Sequence, residues 1–316
     1  MQNTLQHLRI VCIAMLIFLC KVQAQQDPQY TQYMYNMNVV NPAYTTNEQG
    51  MLNFGTLYRT QWQNAVGGPK TLTFFAHTPF SEKIEMGASI ISDDIGDGSL
   101  KENNIYIDFA YILKLNEQSN ISLGLKGGVT TFQTNFNGFR LPEVQDDPAF
   151  NENLNNTFPN IGIGAFYTRD KFYAGVSIPN LLTSKHLENR DGITRIGAEA
   201  IHFFGMAGYV FNIHSDLKIK PSIMTKMVQG APITADLSIN ALVNNRFEGG
   251  VSYRLDDSVS AMFNIAVLPA FRIGYAYDYT LSNLGSFNNG SHEIFLLFNL
   301  DLWGLKKGYD KSPRFY

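Results

Sequence analysis

The sequence has few cysteines, few charges and no long apolar run beyond its N-terminus. Its 316 residues include only two cysteines, Cys12 and Cys20, and charged residues make up 16% of the chain. After residue 24, no stretch is apolar over the roughly 20 residues that a membrane helix needs. These features argue against a disulfide scaffold and against a helical membrane protein.

The first 24 residues are typical of a secretory signal peptide. Arg9 precedes an apolar run from Ile10 to Cys20, and Val22-Gln23-Ala24 follows as a small-residue cleavage pattern. We expect cleavage after Ala24. A membrane anchor is disfavoured because the run is short, and lipoprotein processing at Cys20 is disfavoured because Leu19 stands where a small residue is needed. The mature chain would lack cysteine and carry 22 basic against 27 acidic residues, so we expect no nucleic-acid partner.

Hydrophobic and aromatic residues are abundant, at 45% and 13% of the chain, and they recur with a period of two. Within residues 231–243, apolar residues at odd positions alternate with polar residues at even positions, from Ile233 to Asn240. Such alternation is typical of a strand with two different faces. The pattern predicts strands at residues 51–60, 70–80, 83–92, 103–114, 120–130, 158–168, 171–179, 200–212, 215–227, 231–243, 246–255, 258–268, 270–280 and 291–301.

The predicted connections alternate in length, apart from two short outer ones at Gln229-Gly230 and Asp256-Asp257, and this alternation separates two classes of β protein. Outer-membrane barrels have short periplasmic turns and longer outer loops, whereas a soluble sandwich has no reason to sort its loops in this way. The sequence therefore predicts an all-β fold, a transmembrane antiparallel up-and-down β-barrel of about 14 strands and outer-membrane type. We expect a signal peptide at 1–24, an N-terminal periplasmic segment at 25–50, the barrel at 51–303 in the outer membrane, and a C-terminal tail at 304–316.

Charges of both signs fall on the polar face of the predicted strands, where they can pair across a lumen. A barrel of this size encloses space that side chains alone need not fill, so the lumen holds either water or a plug. The predicted lumen charges are Asp108, Lys126, Lys218, Lys220, Asp236, Arg272, Asp278 and Glu293.

No constellation of residues predicts catalysis, a metal site or a cofactor. The histidines lack a metal-ligand spacing such as His-Glu-x-x-His, and His77 with Ser89 is only a weak candidate for a hydrolase pair. The acidic stretch at 92–98 lacks the alternate ligand spacing of an EF-hand calcium loop. We therefore expect a protein that is not an enzyme and binds neither metal nor cofactor.

A series of short motifs runs in order from the mature N-terminus to the C-terminus. They are Gln26-Asp27-Pro28 with Tyr30, Gln32 and Tyr33; Asn41-Pro42-Ala43-Tyr44; Arg59 with Gln61-Trp62; Gly67-Gly68-Pro69; Gly124-Leu125-Lys126; Gly250 with Tyr253-Arg254; Tyr277-Asp278-Tyr279; Ser291-His292-Glu293-Ile294; and Ser312-Pro313-Arg314-Phe315. Together they resemble the PorP/SprF family of Bacteroidota outer-membrane proteins, which belong to or work with the type IX secretion system. Two departures, Thr45-Thr46 in place of a frequent glycine and Tyr316 in place of a terminal Phe, leave the branch of the family open.

The resemblance implies a membrane component that helps export, or holds at the cell surface, proteins with a type IX C-terminal domain, including gliding adhesins. Its implied partners are outer-membrane lipid, type IX secretion components and such a cargo protein. The alternative function is a passive porin or small-solute transporter, for which a lumen of mixed charge is equally suitable.

Residues 26–46 are the first predicted partner-binding segment. Tyr30, Tyr33 and Tyr35 offer broad, adaptable apolar contacts, and Pro42 after Asn41 favours extended backbone. Because the segment precedes the first strand, we expect it on the periplasmic side, packed into the barrel mouth or against a periplasmic partner. The alternative is that it only covers the lower rim.

Arg59 and Trp62 are the second predicted partner-binding group. Arg59 should face the lumen at the top of the first strand, and Trp62 should lie at the outer interface, where an indole is a good membrane anchor. A structural role at the barrel rim and direct binding of cargo are both compatible with these positions.

Overall fold

The computed structural model describes residues 29–46, 48–135, 153–182, 189–190, 193–194, 201–228 and 231–302. The predicted signal peptide and C-terminal tail lie outside these residues. Within the described part of the chain, no helix is both long and apolar enough to cross a bilayer.

Antiparallel strands form one closed sheet. In the described residues the barrel strands number fourteen: β1 (Met51–Thr60), β2 (Lys70–Ser81), β3 (Ile84–Ile95), β4 (Leu100–Asn116), β5 (Ser119–Thr134), β6 (Asn155–Arg169), β7 (Phe172–Ile178), β8 (His202–Tyr209, continued by Phe211–Asn212), β9 (Leu217–Val228), β10 (Thr234–Val243), β11 (Phe247–Arg254), β12 (Ser258–Leu268), β13 (Phe271–Thr280) and β14 (Ser291–Asp301). Each pairs with its neighbours in sequence, and β1 pairs with β14 from Met51 opposite Asp301 to Thr60 opposite His292. A separate two-residue pairing joins Asn189–Arg190 to Ile193–Thr194 in the connection after β7.

Closure explains how the sheet can lie in lipid. A closed barrel pairs its backbone groups between strands and leaves no open edge in the hydrocarbon. In β12, exposed Val259 and Phe263 alternate with buried Ser260 and Asn264, so the apolar face points outward and the polar face points into the lumen. The predicted 14-stranded outer-membrane barrel is confirmed.

The two ends of the barrel differ in their connections. One end has tight turns, among them Glu82-Lys83 and Asp170-Lys171, and by the rule for outer-membrane barrels this end is periplasmic. At the other end, the predicted loop at residues 93–102 is mostly strand, because Asp93 pairs with Glu102 and Ile95 with Leu100. Backbone pairing of β3 and β4 continues beyond the residues in which apolar and polar side chains alternate. The sequence pattern therefore predicted both strands to be shorter than they are.

Residues 29–46, which we call the plug, run inside the barrel. They contain a 3₁₀ turn at Tyr33–Tyr35 and a single α-helical turn at Met37–Val40. Their apolar side chains share one buried cluster with wall residues such as Leu57, Phe166 and Phe295. The position differs from the expected periplasmic segment, because hydrogen-bonding groups along the lumen wall bind the plug backbone.

Candidate functional site

The outer end of the plug is held by three charged side chains on adjacent strands. Arg59 on β1 lies 2.7 Å from Asp278 on β13 and 3.2 Å from Glu293 on β14. The backbone N–H groups of Thr31 and Gln32 donate to the two carboxylate oxygens of Glu293, at 2.9 Å and 2.7 Å. The Thr31 hydroxyl donates to Asp278 at 2.7 Å. Hydrogen bonds to ionised groups are among the strongest in proteins, so this cluster fixes the outer end of the plug.

The middle of the plug is held by polar side chains on β11, β12 and β5. The hydroxyl of Tyr35 donates to Glu248 at 2.5 Å and accepts from the amide nitrogen of Asn264 at 2.5 Å. The Tyr35 ring also stacks on Phe295, with ring centroids 4.2 Å apart. Farther along, Lys126 Nζ donates to the carbonyl oxygen of Val39 at 2.7 Å. These contacts come from opposite parts of the wall, so the plug spans the lumen.

The turn at Asn41-Pro42-Ala43 lies against Gly124, Gly164 and Gly175, on the consecutive strands β5, β6 and β7. A Cβ atom added at Gly124 on β5 would overlap the backbone of Pro42 and Ala43, and one at Gly164 on β6 would overlap the Asn41 side chain. The Asn41 amide nitrogen donates to the carbonyl oxygens of Ala165 and Val176, both at 3.3 Å. Glycine is therefore required on the wall to let the plug backbone approach this closely.

The inner end of the plug joins the barrel through Glu85 on β3. Its carboxylate accepts the backbone N–H of Thr46 at 2.9 Å and lies 2.8 Å from His77 Nδ1. Thr45 and Ser122 share a hydroxyl hydrogen bond of 2.9 Å. The chain then reaches the periplasmic end of the barrel, where Gln49 donates to the carbonyl oxygen of Ser81 at 2.9 Å. The plug thus descends from the outer third of the lumen to the periplasmic mouth.

The contact between plug and wall includes buried polar side chains as well as the apolar cluster. Gln32, Asn36 and Asn38 are buried, yet among the described residues their side-chain amides have no hydrogen-bond partner. Buried amides of this kind are usually bonded to ordered water.

Several predicted lumen charges form pairs between directly opposed residues. Asp108 lies opposite Lys126, with 3.6 Å between carboxylate and ammonium, and Asp236 lies opposite Arg254, with contacts of 2.8 Å and 3.0 Å. Opposite charges on facing residues stabilise strand pairing. Lys220 and Arg272 are also buried inside the barrel, whereas Lys218 is only half-buried at the periplasmic rim.

Some charged residues of the described lumen, Glu248 and Arg254 among them, were not predicted as lumen charges. Glu248 and Arg254 on β11 are buried and bind Tyr35 and Asp236. The alternation of residues 246–255 already places even-numbered side chains on the inner face, so this pattern was the signal that could have found them.

The predicted partner-binding residues are mostly enclosed. Tyr30, Tyr33, Tyr35, Asn41, Pro42 and Arg59 are all buried within the barrel. Direct binding of a partner by these residues stays a prediction and requires that the plug move. Trp62 is half-buried in the outer loop after β1, and its backbone N–H donates to Ser291 Oγ at 3.2 Å.

The outer loops around Trp62 are joined to one another. Gln63 exchanges two backbone hydrogen bonds of 2.8 Å with Gly290 and Asn289, and Gly96 N–H donates to the carbonyl oxygen of Gly67 at 2.9 Å. Lys70 donates to Asp97 at 2.7 Å, and this bond holds the pKa of the exposed Asp97 carboxyl below its ordinary value. Val66 projects from this surface and is fully exposed.

Among the described residues, no group of three His, Cys, Asp or Glu side chains is placed to hold a metal ion. The charged groups of the lumen instead bind the plug or pair with one another. The plug in turn fills the lumen.

Comparisons with known proteins agree with this architecture. Residues 22–298 match the family described as type IX secretion system membrane protein PorP/SprF, which is not an enzyme family. No curated protein sequence matches the chain. The fold is similar to the Pseudomonas putida toluene transporter TodX, with a TM-score of 0.51 and 10% identity over 84% of this chain and 93% of that one. It is also similar to a Pseudomonas aeruginosa FadL homologue, with a TM-score of 0.48 and 14% identity over 89% of this chain and 96% of that one. At 10% identity the likeness to TodX shows the fold alone.

Proposed function

Because the chain belongs to the PorP/SprF family of type IX secretion system membrane proteins, we propose that it helps export, or anchors at the cell surface, proteins with a type IX C-terminal domain. Gliding adhesins are one class of such cargo. The chain would act without catalysis, as a binding component in contact with secretion machinery in the outer membrane. The single observation that carries the proposal beyond family membership is the occupied lumen.

The plug argues for a binding role over free diffusion. Its outer end is held at Glu293, its middle at Lys126 and its inner end at Glu85. A porin needs a continuous aqueous path, and here chain from the same protein fills that path at three heights. A passive porin or small-solute transporter, the alternative, would have to displace these contacts before conducting.

The plug also offers a means of coupling to a partner. Its two ends are held by hydrogen bonds to Glu293 and Glu85, and its apolar side chains pack against the wall between them. A periplasmic partner reaching Gln49 and Thr46 would touch the plug where it enters the barrel. The tyrosines predicted to bind partners would become available when the plug moves.

Affinity isolation tests the proposal directly. A tagged copy purified from native outer membranes should recover a large surface protein with a type IX C-terminal domain, or periplasmic secretion components, identified by mass spectrometry. Recovery of an isolated barrel would favour the transporter alternative.

Deletion of Gln26–Asn38 separates barrel assembly from function. The variant should remain in the membrane as a barrel whose electrophoretic mobility changes on heating, but surface delivery of the cargo should be lost. Normal delivery by the deletion variant would exclude a role for the plug. In planar bilayers the intact protein should stay closed and the deletion variant should conduct.

A further inference from the structure

A groove of about 1000 Å³ opens at the periplasmic rim between the ends of β6, β7, β8 and β9. It lies away from the plug contacts described above. Its walls carry three aromatic side chains, Tyr167, Phe172 and Tyr209, and three cations, Arg169, Lys171 and Lys218.

The groove exists because neighbouring hairpins end at different heights. β6 and β7 are joined by the tight turn Asp170-Lys171, and Phe172 at the start of β7 pairs with Tyr209. β8 continues past this point, where Phe211 and Asn212 pair with β9 alone. The β8–β9 hairpin therefore projects beyond the β6–β7 turn and leaves a step in the rim.

The aromatic wall of the groove belongs to the lipid-facing surface. Phe172 and Tyr209 are 38% and 40% exposed on the outer face of the barrel. Tyr167 packs beside Phe172, with ring centroids 6.2 Å apart, and Tyr209 packs beside Phe211 at 4.6 Å. Aromatic side chains gather at the membrane interface of such barrels, so these rings place the groove at the level of the periplasmic headgroups.

The cations lie immediately beyond these rings. Arg169 follows Tyr167 by two residues on the same face of β6, and Lys171 occupies the adjoining turn. Lys218 stands on the β9 side of the groove, and Asp170 is the one acid among the lining residues. Long basic side chains near the membrane interface reach into the headgroup layer, where anionic phosphate complements the excess of positive charge.

We propose that this groove binds the headgroup phosphate of an anionic phospholipid from the periplasmic leaflet. Arg169 and Lys171, at the end of β6 and in the adjoining turn, contact the phosphate. The acyl chains run along the exposed outer face past Phe172 and Val176. The site is separate from the plug and its anchors, so it goes beyond the function proposed above.

Native mass spectrometry of the full-length protein tests the site. The barrel is released from mixed micelles that hold equal amounts of phosphatidylglycerol and phosphatidylethanolamine, and the lipid retained is counted. Wild-type protein should retain phosphatidylglycerol preferentially. The double variant Arg169→Gln/Lys171→Gln should reduce this retention by about thirtyfold, because each of the two cations near a membrane surface contributes on the order of 1 kcal/mol.

The matched control is Lys83→Gln/Lys114→Gln, which removes two exposed cations of the same rim outside the groove and should retain the lipid as wild type does. Equal loss in both variants, or no preference in wild type, would overturn the site. Displacement of the lipid by an equal concentration of inorganic phosphate would show a free-anion site instead. If the groove variant does not fold, hydrogen exchange on wild type decides: phosphatidylglycerol alone should slow exchange at residues 169–172, and equal slowing by phosphatidylethanolamine would refute the proposal.

Discussion

The ammonium group of Lys126 donates a hydrogen bond of 2.7 Å to the carbonyl oxygen of Val39. The bond joins the middle of β5 to the helical turn of the plug. Lys126 also lies 3.6 Å from Asp108 and 5.0 Å from the centre of the Tyr106 ring. Lys126 therefore binds the plug and is itself held in position by two residues of the neighbouring strand β4.

Replacing Lys126 with Met should loosen the centre of the plug. A hydrogen bond to a charged group contributes roughly 1.5–3 kcal/mol, so amide hydrogen exchange in residues 37–41 should be about tenfold to a hundredfold faster. Lys114→Met, on the exposed end of the neighbouring strand, is the control and should leave exchange in the plug unchanged. Equal exchange in both variants would mean that the bond does not hold the plug.

Enlarging Gly124 should push the Asn41-Pro42 turn away from the wall. A Val at this position would overlap plug backbone, and such overpacking costs about 1–3 kcal/mol. We expect a lower unfolding temperature and faster proteolysis of the plug in detergent. Gly127 on the same strand has nothing within 4 Å of an added Cβ, so Gly127→Val is a matched control that should behave as wild type. A Gly124→Val barrel with wild-type protease resistance would contradict the close contact.

Glu293→Gln should weaken the outer anchor of the plug without changing its shape. The neutral amide has one acceptor oxygen for the two backbone N–H groups of Thr31 and Gln32, and it no longer neutralises Arg59. In planar bilayers, we expect brief openings to become more frequent than in wild type. Glu82→Gln, in an exposed periplasmic turn, should show the wild-type frequency. The prediction fails if both variants stay equally closed.

Single cysteines should report the orientation of the barrel. The chain after residue 24 contains no natural cysteine, so introduced thiols are labelled without background. A thiol at exposed Val66 in the outer loop should react with an impermeant maleimide on intact cells, whereas one at Lys83 should react only after permeabilisation. The reverse pattern would invert the orientation assigned from turn length.

The strands could be predicted because the alternation of apolar and polar residues is present within each strand by itself. Residues 51–60, 258–268 and 291–301 match β1, β12 and β14 to the residue, since the period of two is visible within ten residues. The same alternation places Asp108, Lys126 and Asp278 on the inner face. Their pairing partners, however, depend on register, which local sequence does not encode.

The plug could not be placed by the same reasoning. Its residues follow neither a period of two nor a helical period, and its anchors are distant in sequence, since Thr31 and Glu293 are 262 positions apart. The groove at β6–β9 was also missed, because it arises from the unequal heights of two hairpins. Both features follow from how strands are registered around the barrel.

The anchor at Glu293 has a consequence for biogenesis. Thr31 and Gln32 precede every barrel strand along the chain, and Glu293 lies on β14, the last strand of the barrel, which closes it against β1. The hydrogen bonds from Thr31 and Gln32 to Glu293 can therefore form only after β14 has joined the barrel. A chain truncated before β14 would lack both the pairing of β14 with β1 and the hydrogen bonds to Glu293. Its N-terminal segment would then be open to periplasmic proteases.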